Sequence, residues 1–148
     1  MKSEPHVFSW EDLLKAPKRT TPWNGVRNFA ARNFMRDGMK VGDSVFFYHS
    51  NAEPPGIVGI GEVSREAYPD PTAFDPGDHG YDEKSSPADP VWFMVDIRAV
   101  ESLPRAVTLP MLKATKSLAQ MALIRTGRLS VIPVTPSEWK TILSISRA

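Results

Sequence analysis

A tryptophan in a polar loop offers the first chemically suggestive feature of the sequence. Trp23 lies in residues 22–25, two residues before a glycine and with no apolar periodicity around it. An indole presents a flat face on which a planar ring can stack. We therefore expect Trp23 to be exposed as a stacking platform, and its replacement by alanine to leave folding nearly intact. The alternative is a loop tryptophan that plugs the mouth of the fold.

The residues that follow Trp23 predict a helix over 27–37 with a cationic face. Asn28, Arg32 and Arg36 recur at one-turn spacing and therefore share one side of this helix. Phe29, Ala30 and Phe34 form its apolar stripe, and Gly38 ends it. A face of this kind can contact phosphates or a polar base edge, although a solvated helix face remains the alternative.

Polar residues also mark the end of a predicted strand over 44–50. Large side chains alternate onto both of its faces, which is typical of a central, buried strand. The strand ends at His49, Ser50 and Asn51, where binding groups are commonly placed. For His49 alone, a hydrogen-bonded core histidine is the default, whereas the neighbouring Tyr48 and polar residues favour a site.

Composition excludes several classes of protein. The chain has 148 residues and no cysteine, which predicts a single domain over 1–148 without disulfides or thiolate metal sites. No apolar run is long enough to span a bilayer and the N-terminus lacks the apolar stretch of a secretory signal, so we expect a cytoplasmic protein. We also expect a monomer. The three histidines lie far apart, no phosphate-binding glycine motif opens a helix, and no nucleophile elbow is present. We therefore expect no metal, no cofactor and no catalysis.

Charge is segregated along the chain although the net charge is only +1. Residues 1–36 carry seven Lys/Arg against three Asp/Glu, residues 62–101 carry three against ten, and residues 102–148 carry seven against one. If the two basic ends meet in the fold, they form one face that attracts phosphates. Lys84 is the single cation of the long acidic segment 68–90, and two serines follow it, a combination able to hold a phosphate. A solvated linker is the alternative for Lys84.

The hydrophobic pattern predicts an α+β fold. Strands are predicted over 6–8, 44–50, 57–67, 91–103 and 129–134, and helices after Ser9, over 27–37, within 108–125 and after Thr135. Gly59 and Gly61 lie inside the second long strand, where glycine marks bulges or close packing against the backbone. Such a sheet tends to curl into a barrel.

Several separated strings resemble the EVE domain family over essentially the whole chain. They are MKSEP, WNGVRNFAARNFMR, MKVGDSVFFYHSN, PPGIVGI, EAYPDPTAFD and GRLSVIPV, and Glu83 stands where the family pattern has proline. The resemblance implies a PUA-like fold, a small curved mixed β-barrel flanked by helices. It also implies recognition of a modified base, notably a modified cytosine in DNA, in a pocket lined by an aromatic residue and polar groups.

A base site of this kind needs a stacking face, hydrogen-bonding groups and cations. Trp23 would stack on the base. The base edge would be read by Ser3, Asn28, Tyr48, His49, Ser50 and Asn51. The phosphates would be held by Lys2, Arg27, Arg32 and Lys84. Two alternatives stay open, a reader of modified or structured RNA and an enzyme that acts on a modified nucleotide with His49 as general base.

Overall fold

The computed structural model describes residues 1–148 and contains five strands. In chain order they are β1 (Lys2–Ser3), β2 (Thr20–Pro22), β3 (Ser44–His49), β4 (Gly56–Pro69) and β5 (Phe93–Thr108). They form one mixed sheet in the order β1-β3-β4-β5-β2, with β1 parallel to β3 and every other pair antiparallel. The α+β, PUA-like class is confirmed, but the sheet is curved and open rather than a closed barrel, because the edge strands β1 and β2 do not pair.

Five α-helices flank the sheet. They are α1 (Trp10–Lys15), α2 (Phe29–Asn33), α3 (Leu109–Lys113), α4 (Ala122–Arg125) and α5 (Pro136–Arg147). The predicted helix starts at Ser9 and Thr135 are confirmed, since each side chain caps its helix in a reciprocal capping box. The predicted helix 27–37 begins instead at Phe29 and continues as a π-helical turn over Phe34–Gly38. None of the helices combines the length and the apolar character required to cross a bilayer.

The glycines of β4 allow the sheet to bend. The register of β4 against β5 shifts between Ile57 and Gly59 and again between Ile60 and Gly61. A Cβ atom on Gly59 would lie 2.3 Å from the Trp10 indole, so the ring packs directly on the strand backbone. This contact is the physical reason for the glycine that the sequence pattern singled out.

Three predicted elements differ from the structure. Residues 6–8 form a turn, and the N-terminal strand lies earlier, at β1. Residues 129–134 form no strand, although the Ser130 carbonyl accepts a hydrogen bond from the Lys2 amide at 2.8 Å. Thr20–Pro22, to which the sequence pattern assigned no strand, pairs with β5 as the edge strand β2. Strands of two or three residues are too short to show the alternating pattern on which strand prediction depends.

The sheet separates two hydrophobic clusters. One contains Trp10, Trp23 and Phe47, with α1 and the segment before α2 packed over it. The other contains Phe46 and Tyr48 and is covered by α3, α4 and α5. Because Phe47 and its neighbours alternate across the strand, β3 is buried on both faces, as its sequence predicted.

Candidate functional site

An open pocket of about 380 Å³ lies beside Trp23, between the edge strands β1 and β2. Its walls come from β1, the turn before α1, β2 and the loop after β2. The lining residues are Lys2, Ser3, Val7, Phe8, Thr21, Pro22, Trp23 and Asn24. We call this cavity the Trp23 pocket. Its volume falls within the range of about 300–1,000 Å³ found for small-molecule sites.

Trp23 forms the inner wall of this pocket rather than an exposed platform. Only 8% of the residue is accessible, its ring packs edge-on against Phe47 with centroids 5.5 Å apart, and its amide donates to the Val95 carbonyl at 2.8 Å. The expectation of an exposed tryptophan is therefore wrong. Because Trp23 belongs to the core, we expect its replacement by alanine to cost about 3–5 kcal/mol of folding free energy, which contradicts the expectation that folding stays intact.

Some polar groups of the Trp23 pocket already form hydrogen bonds within the protein, whereas others remain available to a ligand. The Ser3 hydroxyl donates to the Phe8 carbonyl at 2.6 Å, which leaves only its lone pairs for a ligand. Thr21 makes a long contact of 3.3 Å to the Pro22 carbonyl. The Asn24 amide is exposed and forms no hydrogen bond within the protein, so both its donor and its acceptor can face a ligand.

His49 has a structural role. Its Nε2 accepts a hydrogen bond from the Trp10 amide at 3.0 Å, at the start of α1, and its ring packs edge-on against Phe47. Burial lowers the pKa of His49, which keeps the imidazole neutral and preserves this acceptor. The lone pair that a general base would use is thus occupied, and the predicted contact to a base edge is not available to this atom.

Tyr48, Ser50 and Asn51 do not line the Trp23 pocket. Tyr48 is buried on the opposite face of β3, and burial raises the pKa of its phenol. Ser50 and Asn51 lie beside a second depression of about 320 Å³, which is lined by Lys2, Glu4, Ser50, Asn51, Gly127, Arg128, Leu129 and Ser130. Asn51 has a left-handed backbone, with φ of 50°, and donates to Glu4 at 3.0 Å. Lys2 lines both cavities and is their common boundary.

Arg27 anchors the acidic segment instead of facing solvent. Its guanidinium contacts Asp70 at 3.0 Å and also donates to the Gly80 carbonyl and to the Thr72 hydroxyl. Asp70 is fully buried and accepts additional bonds from the Gly25 amide and from Thr72. Burial alone would raise the pKa of Asp70, but these hydrogen bonds outweigh burial and hold the pKa below its ordinary value. The guanidinium donors of Arg27 are therefore used within the protein and are not available for the predicted phosphate contact.

Two residues of the predicted cationic face, Asn28 and Arg32, are also engaged within the protein. Asn28 caps α2 by accepting from the Ala31 amide at 3.1 Å. Arg32 lies over the Phe29 ring at 4.8 Å and donates to the Val91 carbonyl at 2.9 Å. Phe29, predicted to be in the apolar stripe, is 58% exposed and stacks on Trp92. Arg32 and Phe29 thus pack against residues 91 and 92, directly after the acidic segment.

Lys84 is exposed, but its neighbouring serines do not face a ligand. The buried Ser85 hydroxyl accepts from the Val91 amide at 2.9 Å, and the Ser86 hydroxyl accepts from the Asp89 amide at 3.2 Å. Both serines stabilise the turn that carries Lys84. The structure contains no group of three or more His, Asp or Glu side chains placed to hold a metal ion.

Sequence reasoning missed four residues of this region. Thr21 and Asn24 line the Trp23 pocket, and Arg125 and Arg128 belong to the loop beside Lys2. Thr21 and Asn24 could have been found from the sequence because they lie within two residues of Trp23. The basic excess of the C-terminal part was the corresponding signal for the arginines.

Comparison with known proteins agrees with this fold. Residues 1–145 match the family model described as EVE domain. Rat thymocyte nuclear protein 1 is 45% identical over 165 residues, which cover 100% of this chain and 73% of the relative. The crystal structure of human THYN1 protein in complex with 5-methylcytosine containing DNA has a TM-score of 0.95 at 42% identity, covering 100% of this chain and 96% of that chain. A crystal structure of a Pseudomonas syringae protein has a TM-score of 0.91 at 45% identity. The match covers 99% of this chain and 97% of that chain.

Proposed function

The chain belongs to the EVE domain family, and from that premise we propose that it binds DNA and recognises a modified cytosine without chemistry on the base. The Trp23 pocket is the proposed base site. The observation that carries the proposal is this pocket, open between two edge strands, in a chain whose fold matches that of a protein solved in complex with 5-methylcytosine containing DNA. The expected cytoplasmic location and monomeric state stay predictions.

The lining of the Trp23 pocket supports recognition of a flipped base. A base outside the stack needs an aromatic or apolar wall and hydrogen-bonding groups at its edge. Trp23 and Phe8 provide the apolar wall, and Asn24 provides a free donor and a free acceptor. Of the residues proposed from the sequence, Ser3 and Lys2 line the same pocket, whereas Asn51 and Ser50 lie in the depression next to it.

The environment of His49 argues against the alternative of an enzyme with this residue as general base. Its Nε2 accepts the Trp10 amide, and burial favours the neutral ring. The groups left in the Trp23 pocket are amide, hydroxyl and ammonium groups, which suit binding better than proton abstraction.

The test is binding of oligonucleotides that differ in one methyl group. Fluorescence anisotropy with labelled DNA carrying either cytosine or 5-methylcytosine at one position, single- and double-stranded, should show tighter binding of the modified strand. The matched RNA oligonucleotides should bind more weakly. Equal affinity for the modified and unmodified DNA would refute the proposal, and preference for RNA would replace it with the RNA alternative.

Two variants assign the binding to the Trp23 pocket. Asn24→Ala removes an exposed amide and should weaken binding of the modified DNA by about 2- to 13-fold, the value of one hydrogen bond of about 0.5–1.5 kcal/mol. Trp23→Phe retains the contact with Phe47 but shortens the wall, and should reduce the preference for the modified base. Trp139→Phe is the matched control, since Trp139 packs on Phe46 on the other face of the sheet.

A further inference from the structure

We propose that Lys2 and the loop formed by residues 125–130, which starts at the last residue of α4, bind the phosphates of the strand whose base occupies the Trp23 pocket. We call this surface the phosphate track. The inference rests on the proposed function, and it adds a set of contacts on the C-terminal side of the fold. Of the cations of the phosphate track, Lys2 was predicted from the sequence, whereas Arg125 and Arg128 were not.

The loop is built onto the edge strand β1. The Lys2 amide donates to the Ser130 carbonyl at 2.8 Å, and the Lys2 ammonium donates to the Gly127 carbonyl at 2.7 Å. Within the loop, both the amide and the hydroxyl of Thr126 donate to the Ala122 carbonyl. Two attachments to β1 and two to Ala122, the first residue of α4, hold the loop backbone in one place before any ligand arrives.

Arg128 and two backbone amides of this loop have free donors. Arg128 is exposed and forms neither an ion pair nor a hydrogen bond within the protein, and Arg125 contacts only the neutral Gln120 side chain. The amides of Gly127 and Arg128 donate to no protein acceptor. Arginine side chains and free backbone amides are the groups that commonly contact phosphate oxygens. By contrast, Arg27 is already paired with Asp70.

The shape of the surface leads from the base site to this loop. Lys2 lines the Trp23 pocket and also the depression of about 320 Å³ that contains Arg128. A further depression of about 370 Å³ continues along the loop past Arg125. Glu4 is the only carboxylate lining these three cavities, and its oxygens already contact Asn51 and His6 at 3.0 Å each. A strand that leaves the Trp23 pocket over Lys2 therefore meets Arg128 next.

Salt dependence of binding tests the phosphate track. The slope of log affinity against log salt is negative, and each phosphate contact that is lost should reduce its magnitude by about 0.7 for single-stranded and about 0.9 for double-stranded DNA. Arg128→Ala should produce this decrease equally for the modified and the unmodified oligonucleotide, and the ratio of the two affinities should not change. Arg105→Ala is the matched control, because Arg105 is exposed on β5 and makes no ion pair or side-chain hydrogen bond.

The outcomes separate this inference from the proposed function. If Arg128→Ala has the slope and affinity of Arg105→Ala, the phosphate track is refuted, even where the preference for 5-methylcytosine persists. If the wild-type protein shows no such preference but Arg128→Ala still makes binding less dependent on salt, the phosphate track is supported and the base site is contradicted. Urea unfolding of both variants checks that the fold is intact.

Discussion

Removal of the Asp70 carboxylate should destabilise the protein more than any other single charge change in the acidic segment. Asp70 is fully buried, and its oxygens accept hydrogen bonds from Gly25, Arg27 and Thr72. Asp70→Ala leaves these donors without their acceptor. Breaking a buried ion pair from one side costs about 3–5 kcal/mol. We expect a loss near the lower end, about 3 kcal/mol, since Arg27 stays 22% exposed and keeps its bonds to Gly80 and Thr72.

Asp70→Asn separates the effect of charge from the effect of shape. The amide fits the same space but turns a donor toward groups that are themselves donors, so we expect a loss of about 1–3 kcal/mol. Glu83→Gln is the control, because it removes one negative charge from the same segment at an exposed side chain without hydrogen bonds. A surface change of this kind should stay within about 0.5 kcal/mol.

Equilibrium unfolding in urea, followed by tryptophan fluorescence, measures these losses, since Trp10 and Trp23 are buried reporters. The pKa of Asp70 lies below its ordinary value, so the unfolded chain takes up the proton first as the pH falls. The stability contributed by Asp70 is present above about pH 4 and is lost as the pH falls through the folded pKa. The gap between wild type and Asp70→Asn should therefore narrow below about pH 4. A loss under about 1 kcal/mol for Asp70→Ala, or an equal loss for Glu83→Gln, would refute the reasoning.

Two further predictions concern the packing of α1. Gly59→Ala would bring a Cβ atom within 2.3 Å of the buried Trp10 ring, so we expect the free energy of unfolding, measured in urea, to fall by about 1–3 kcal/mol. Gly38→Ala is the control, because a Cβ atom there would have no atom within 4 Å. Burial lowers the pKa of His49, so the unfolded chain binds a proton more readily, and stability should fall as the pH drops below about 6.5. The urea midpoint of His49→Gln should be less sensitive to this pH change, and equal sensitivity would show that other groups cause it.

The parts of the fold that were predictable from sequence depend on local signals. Ser9 and Thr135 cap their helices because the capping pattern requires only neighbouring residues. The long strands were found through their apolar content, although β5 extends to Thr108, beyond the predicted end. The glycines of β4 were correctly associated with curvature, because a glycine inside a strand lacks the side chain that would resist bending and close packing.

The site was harder to predict because its residues depend on contacts that are distant in sequence. Trp23 lies in a loop without periodicity, yet Phe47 from β3 packs against it and buries it. Arg27 was predicted to be a free cation for a phosphate, but its partner Asp70 lies 43 residues further along the chain. No local pattern indicates either contact. Asn24 carried too little information by itself to be distinguished from an ordinary loop asparagine.

The segregation of charge explains which cations remain for a ligand. The acidic segment uses Asp70 to bind Arg27, so the positive charge of Arg27, which is close to Trp23 in sequence, is neutralised within the fold. The two basic ends do meet, because Lys2 donates to the carbonyls of Gly127 and Ser130. Arg128 lines the same depression as Lys2 and has no ion-pair partner within the protein. On the proposal of the phosphate track, a fold that pairs Arg27 internally and leaves Arg128 free would align the nucleic acid along β1 and residues 125–130, away from the acidic segment.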